Sequence, residues 1–143
     1  WADGLITVAA DAKTLRDVRA AYRDAGGRGP VSAQLHLSWA PSEADALALA
    51  LDQWAYGTIG QPDSWDIAMP EEFDRRSAGV DEQAIRQAVT VSSDVGVHQA
   101  RIAEILDAGY DAVYLHHVGQ QQAAFLDTFG EHVLPALRSA GAS

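Results

Sequence analysis

The sequence has no cysteine, which removes disulfides, thiolate catalysis and cysteine-ligated zinc. Positive charge is scarce: Lys plus Arg is 10 against 20 for Asp plus Glu, a formal net charge of −10. Lys13 is the single lysine, and the arginines are scattered. Binding a polyanion takes clustered Lys and Arg, so this balance argues against a nucleic-acid partner and against an anionic membrane surface. Long apolar runs are missing too. The longest, Ala46 to Leu51, is fenced by Asp45 and Asp52, whereas a membrane span takes about 20 apolar residues. Nothing at the N-terminus reads as a signal peptide, and a cytoplasmic protein is the expectation. There is no G-x-G-x-x-G, no Walker sequence and no G-x-S-x-G.

What is present is an ordinary globular composition in 143 residues, 48% hydrophobic and 21% charged, which suits one domain. The chain starts at Trp1 and runs at once into Leu5-Ile6-Thr7-Val8. So abrupt a first strand suggests a piece of something longer. Asp11 can cap the helix that follows, where Leu15, Val18, Tyr22 and Ala25 recur on one face. Gly26-Gly27 ends it. From Val31 to Trp39, apolar Val31, Ala33, Leu35, Leu37 and Trp39 alternate with Ser32, Gln34, His36 and Ser38, a strand with two different faces. Pro41 and Ser42 open an Ala- and Leu-rich helix running to about Trp54.

Residues 57–80 read as an irregular insertion with a short candidate helix from Glu71 to Ser77. Asp81 to Gln87 is then predicted helical and Ala88 to Val91 a small strand. Asp94 caps a further helix, Ala112 to Val118 is a strand, and a last amphipathic helix carries Phe125, Phe129 and Val133, with Pro135 able to kink or split it. Strands alternating with helices imply a parallel sheet.

A central strand of an open sheet is covered on both faces and reads as a continuous apolar run. A β/α barrel leaves one strand face to the interior, which fits Ser32, Gln34, His36 and Ser38. Tyr114 and His116 share one face of the later strand in the same way. Residues at C-terminal strand ends line the active site of such barrels, so His36, Ser38, Tyr114 and His116 are expected to converge. The alternative is that both histidines are packed, hydrogen-bonded core residues. His116-His117 is not a metal signature, because adjacent strand residues point to opposite faces. Trp54 and Trp65 flank the insertion and either stack on a ligand or pack.

Ala2-Asp3-Gly4-Leu5-Ile6, Ser92-Ser93-Asp94, Gly109-Tyr110-Asp111, Leu115-His116-His117-Val118-Gly119, Phe125-Leu126-Asp127-Thr128-Phe129 and Val133-Leu134-Pro135-Ala136-Leu137 occur in that order. Together they resemble the C-terminal part of the luciferase-like, flavin- and deazaflavin-dependent oxidoreductases, in the branch of the deazaflavin-dependent glucose-6-phosphate dehydrogenases. The resemblance covers essentially the whole chain. It implies an α/β fold, the C-terminal part of a TIM-type (β/α)8 barrel, with residues 1–143 forming one partial-barrel unit of about strands six to eight, their helices and the insertion. It implies hydride transfer between coenzyme F-420, a deazaflavin, and a small organic substrate, with FMN as the alternative cofactor.

In that family the catalytic groups and most cofactor contacts lie in earlier strands. No catalytic residue is therefore expected in this chain, which alone would be inactive, and its cofactor contacts are unknown. His36, Ser38, Trp39, Trp65, Tyr114 and His116 are the candidate substrate-binding residues. The relatives' phosphate-binding residues fall near Val8, Asp11, Ser64 and Ala88, none of which keeps the expected type. This implies a substrate other than a sugar phosphate, with Lys13 and Arg86 as the nearby cations. The sheet edges should be covered by the missing half-barrel or by another copy, and a homo-oligomer is expected. A non-catalytic binding or interaction module that keeps the late-barrel fold is the alternative function.

Overall fold

The structure is a computed structural model that describes residues 2–140. Its sheet has four strands, β1 (Leu5–Val8), β2 (Val31–Ser38), β3 (Thr90–Val91) and β4 (Ala112–His117), all pairing in parallel through β2. β1 pairs from Leu5 opposite Val31 to Val8 opposite Gln34, and β4 from Ser32 opposite Ala112 to Leu37 opposite His117. The Pro30, Gln34 and Ser38 carbonyls accept the N–H groups of Leu5, Ala9 and Ser92, while those of Val31 and Leu37 accept Asp111 and Val118. Alternate carbonyls of a strand point to opposite sides, so short β3 continues the β1 side of β2 beyond the end of β1. Among the described residues, β1 and β4 each pair along one edge.

The helices are α1 (Ala12–Asp24), α2 (Glu43–Trp54), α3 (Pro70–Ser77), α4 (Glu82–Ala88), α5 (Val95–Asp107), α6 (Gln122–Thr128) and α7 (Leu134–Ala140). Asp11, Ser42, Asp81 and Asp94 cap α1, α2, α4 and α5, each side chain accepting an N–H of the first turn. Gly26 and Gly109 follow α1 and α5 with φ of 89° and 91°, a left-handed step that other residues resist. A π-helical turn, Phe129–Val133, joins α6 to α7. It ends two residues before Pro135, which has no N–H to continue a regular ladder.

The two faces of the sheet are built differently. Val31, Ala33, Leu35 and Leu37 are buried against Leu15 of α1, Ile102 and Ile105 of α5, and Phe125, Phe129 and Val133. Each of the Val, Leu, Ile and Phe side chains among them stabilises the fold by roughly 1.5–3 kcal/mol, and Ala33 by less. The opposite face carries Ser32, Gln34, His36 and Ser38, as the alternation predicts. Its C-terminal end is capped by a second cluster, Ala46 and Ala50 of α2, Ile85 of α4, and Val89, Val91 and Val118. Its other end is open, with Ile6 61%, Val8 54% and Tyr114 57% exposed. The architecture is a partial barrel: one face meets a helix layer, and the other has the polar character of a barrel interior.

Several boundaries differ from the sequence reading. β2 stops at Ser38, so Trp39 lies just beyond the strand, and β4 stops at His117, although Val118 still donates to Leu37. The small strand is confined to Thr90–Val91, because α4 runs one residue further than expected, to Ala88. Residues 57–80 contain α3 and two 3-10 turns, Ala55–Thr58 at its edge and Asp63–Asp66. The cap over the polar face also draws in α2 and α4. An Ala- and Leu-rich helix is apolar on more than one side and packs against both the sheet end and α4.

Candidate functional site

β2 and β4 run side by side in register, which places His36 opposite His116. The two Nδ1 atoms lie 2.8 Å apart. At that distance one ring donates and the other accepts, so the pair holds one proton between them and the Nε2 atoms are left for other partners. Burial, and then the charge His116 would carry, push His36 below the ordinary imidazole value.

Trp54, the last residue of α2, closes over this pair. Its ring centroid is 4.6 Å from His36 and 4.8 Å from His116. Tyr56 follows at 5.2 Å from Trp54, and Phe73 of α3 meets Tyr56 edge-on at 6.3 Å. The cap thus lays an aromatic chain on the paired histidines. The result is a surface with flat apolar faces and a titratable, hydrogen-bonding centre. It can stack on a planar group or hold a hydroxyl or carbonyl oxygen.

Beside it is a cleft of about 520 Å³, whose lining includes Ala9, Asp11, His36, Arg86, Thr90 and Arg101. Both arginines are engaged. Arg86 donates Nε to Glu82, Nη2 to Glu43 and Nη1 to the Val91 carbonyl, each at 2.9 Å. Arg101 donates to the Glu104 carboxylate and the Ala10 carbonyl. Glu43 also accepts the Ser93 N–H at 2.9 Å. That N–H, and then the Arg86 guanidinium, hold its carboxyl below the usual carboxylate range. Asp11 is committed to Thr14 and the start of α1.

The structure brings His36 and His116 together and sets Tyr114 on the same face, one step back along β4. Ser38 shares that face, but it is fully buried and donates to the Ala46 carbonyl at 2.7 Å, which fastens α2 to the sheet. Trp39 turns the other way. Its Nε1 donates to the Ser93 carbonyl at 3.1 Å, and its ring meets Phe129 of the helix layer. Trp65 stands 70% exposed in the turn Asp63–Asp66 and makes no ring contact among the described residues. Trp54, Tyr56, Glu43 and Arg86 lie at or beside this surface and cleft, and the candidate set left them out. The Trp54-x-Tyr56 spacing straight after an Ala/Leu-rich helix is a usable signal for the first two. Nothing local in sequence pairs Glu43 with Arg86.

Comparison with known proteins bears out the resemblance. No family model matches the chain. An F420-dependent glucose-6-phosphate dehydrogenase of Intrasporangium calvum is 29% identical over 85 residues, 59% of this chain and 25% of that protein. One of Amycolatopsis mediterranei is 31% identical over 88 residues, 62% of this chain and 26% of that protein. The matched region thus spans about a quarter of these relatives' length. Among solved structures, an F420-dependent secondary alcohol dehydrogenase in complex with an F420–acetone adduct superposes with a TM-score of 0.78 at 22% identity, over 96% of this chain and 44% of that one. The coenzyme F420-dependent tetrahydromethanopterin reductase of Methanopyrus kandleri gives 0.69 at 20% identity, over 96% and 46%. Over these stretches the chain is similar in sequence to F420-dependent glucose-6-phosphate dehydrogenases, and its fold is that of part of these solved α/β structures.

Proposed function

We propose that the protein carrying this chain is an oxidoreductase that moves hydride between a deazaflavin and a small organic substrate, and that this chain forms part of the substrate side. The observation that carries the reading is the His36–His116 pair under Trp54, on the face that would line a barrel interior. The sequence relatives and the fold support the reaction class. A deazaflavin supplies a planar ring that takes up or gives back hydride. The aromatic and imidazole surface fits a planar ring or the substrate packed against one. The cofactor's anionic tail has no such fit here, because Arg86 and Arg101 are already paired with carboxylates. In this reading the acid or base that handles the substrate proton belongs outside this chain, as the resemblance implies. FMN is the alternative cofactor.

Within that reading the histidine Nε2 atoms hold the substrate oxygen, Tyr114 extends the same wall, and Trp54 excludes water. The substrate is neutral or weakly polar rather than a sugar phosphate. The residues near which the relatives' phosphate ligands fall, Val8, Asp11, Ser64 and Ala88, offer no cation. The nearby cations, Lys13 and Arg86, pair with Asp17 and with Glu43 and Glu82. The open edges of β1 and β4 are covered by further strands of the same protein or by a second copy, and we assign the protein to the cytoplasm. No helix among the described residues is long and apolar enough to cross a membrane.

The test is the full-length protein incubated with oxidised deazaflavin and either a panel of small secondary alcohols or glucose-6-phosphate, followed by loss of cofactor absorbance. Turnover with a neutral alcohol and none with the sugar phosphate is the expected result. Turnover of the sugar phosphate overturns the substrate class. Failure to bind any deazaflavin or flavin overturns the enzyme reading in favour of a binding module.

A further inference from the structure

We propose that Glu43 is a specificity-determining residue: its carboxylate fills an anion-binding site beside the cleft, so that the cleft refuses substrates with an anionic group near His36. The inference rests on the reading of the cleft as part of the substrate side. The donors come from separate parts of the chain. Arg86 of α4 gives Nη2 to one Glu43 oxygen at 2.9 Å, and the Ser93 N–H reaches the other at 2.9 Å. A guanidinium and a backbone N–H converging on two oxygens of one group is an arrangement that holds carboxylates and phosphates in general. Here the anion is internal.

The occupant is well secured. Glu43 is the first residue of α2, whose start is capped by Ser42 and whose body is tied to the sheet through Ser38 and Ala46. An internal carboxylate held in place competes as if present at high effective concentration, so a dissolved anion must displace it as well as pay for its own desolvation. Three of the five Arg86 N–H donors are engaged, Nε by Glu82, Nη1 by the Val91 carbonyl and Nη2 by Glu43, and the Glu43 carboxylate holds the Nη2 side beside Ser93. Arg101, the other arginine lining the cleft, is held by Glu104 and Ala10. Removal of Glu43 therefore leaves Arg86 with an open donor facing Ser93 N–H, at the margin of the cleft that contains His36.

The experiment is calorimetric titration of the full-length protein with inorganic phosphate, comparing wild type, Glu43→Ala, Glu43→Gln and the double variant Glu43→Ala/Arg86→Gln. Glu43→Ala is expected to bind phosphate at least about tenfold more tightly than wild type, the worth of a charge-assisted hydrogen bond. Glu43→Gln removes the charge but keeps an acceptor for Ser93, and its gain is expected to be smaller. Adding Arg86→Gln is expected to erase the gain. Circular dichroism checks that each variant is folded, and if Glu43→Ala is not, Glu43→Gln decides. No gain in the folded Glu43 variants, or a gain that survives Arg86→Gln, overturns the proposal. Deazaflavin-coupled turnover is assayed on the same preparations. A phosphate gain without turnover upholds the role of Glu43 and sinks the oxidoreductase reading, while turnover without the gain does the reverse.

Discussion

The two faces of β2 are one residue apart in sequence and opposite in physical character. Val31, Ala33, Leu35 and Leu37 sit in a closed layer of side chains from α1, α5 and the α6 region. Ser32, Gln34, His36 and Ser38 look toward a cap at one end and an open stretch at the other, where Ile6, Val8 and Tyr114 are exposed. The closed face holds the main core, and in the proposed function the other face carries the chemistry. A buried polar group must find a partner, and on the second face the partners are themselves informative: Ser38 is spent on α2, and His36 on His116.

That division can be broken in graded steps. The largest effect is expected on the closed face, where Leu37→Ala should cost about 2–5 kcal/mol in urea unfolding, through a cavity that the surrounding helices fill incompletely. A cost near that of a surface substitution would mean the helix layer is not the main core. On the other face, His36→Ala should raise KM of the full-length protein about tenfold in the proposed reaction, one lost substrate hydrogen bond, with kcat little changed and a smaller loss of stability than Leu37→Ala, because His116 and Trp54 lose a partner. A fall in kcat with KM unmoved would transfer His36 from binding to the chemical step.

Acid should affect both faces. Burial is the leading cause that lowers His36, and likewise His98 and His117, below the ordinary value of 6.5, with carbonyls of Ser92 and Leu37 partly opposing it at the latter two. The folded protein then binds fewer protons than the unfolded chain. The stabilisation is complete above pH 6.5 and is lost as pH falls below it toward the lowered values. Unfolding midpoints measured across this range should decline on the acid side, and His117→Phe should flatten the decline. The smallest effect is expected for Ile6→Ser, under about 0.5 kcal/mol in the chain of 143 residues. In the full-length protein the same change should cost more than about 1 kcal/mol, because further strands would cover that face. Equal costs in the two would argue that the face stays open.

Much of this was legible from residue order. The alternation in Val31–Ser38 specified the strand and its two faces, and the helix caps Asp11, Ser42, Asp81 and Asp94 stand where short polar side chains precede apolar periodicity. His36 and His116 were visible as strand-end residues. Their 2.8 Å contact was not, since it depends on the register between strands 80 residues apart. Trp39 lies on the side of Leu37 where the alternation placed it, although the strand itself ends at Ser38. One residue beyond Ser38, the backbone leaves the sheet and the indole joins Phe129.

By itself, then, the sequence determined the element order, the partition of apolar and polar residues between faces, and the resemblance to deazaflavin enzymes. These follow from local periodicity and from motifs kept in a fixed order. Tertiary structure alone decided that Trp54 covers the histidine pair, that Ser38 is consumed by α2, and that Glu43 meets both Arg86 and Ser93. Those contacts join residues 8 to 50 positions apart or more. No short-range rule of spacing sets such distances. They are set by how α2 lies across the end of the sheet, which depends on packing against α4 and on the whole cap at once.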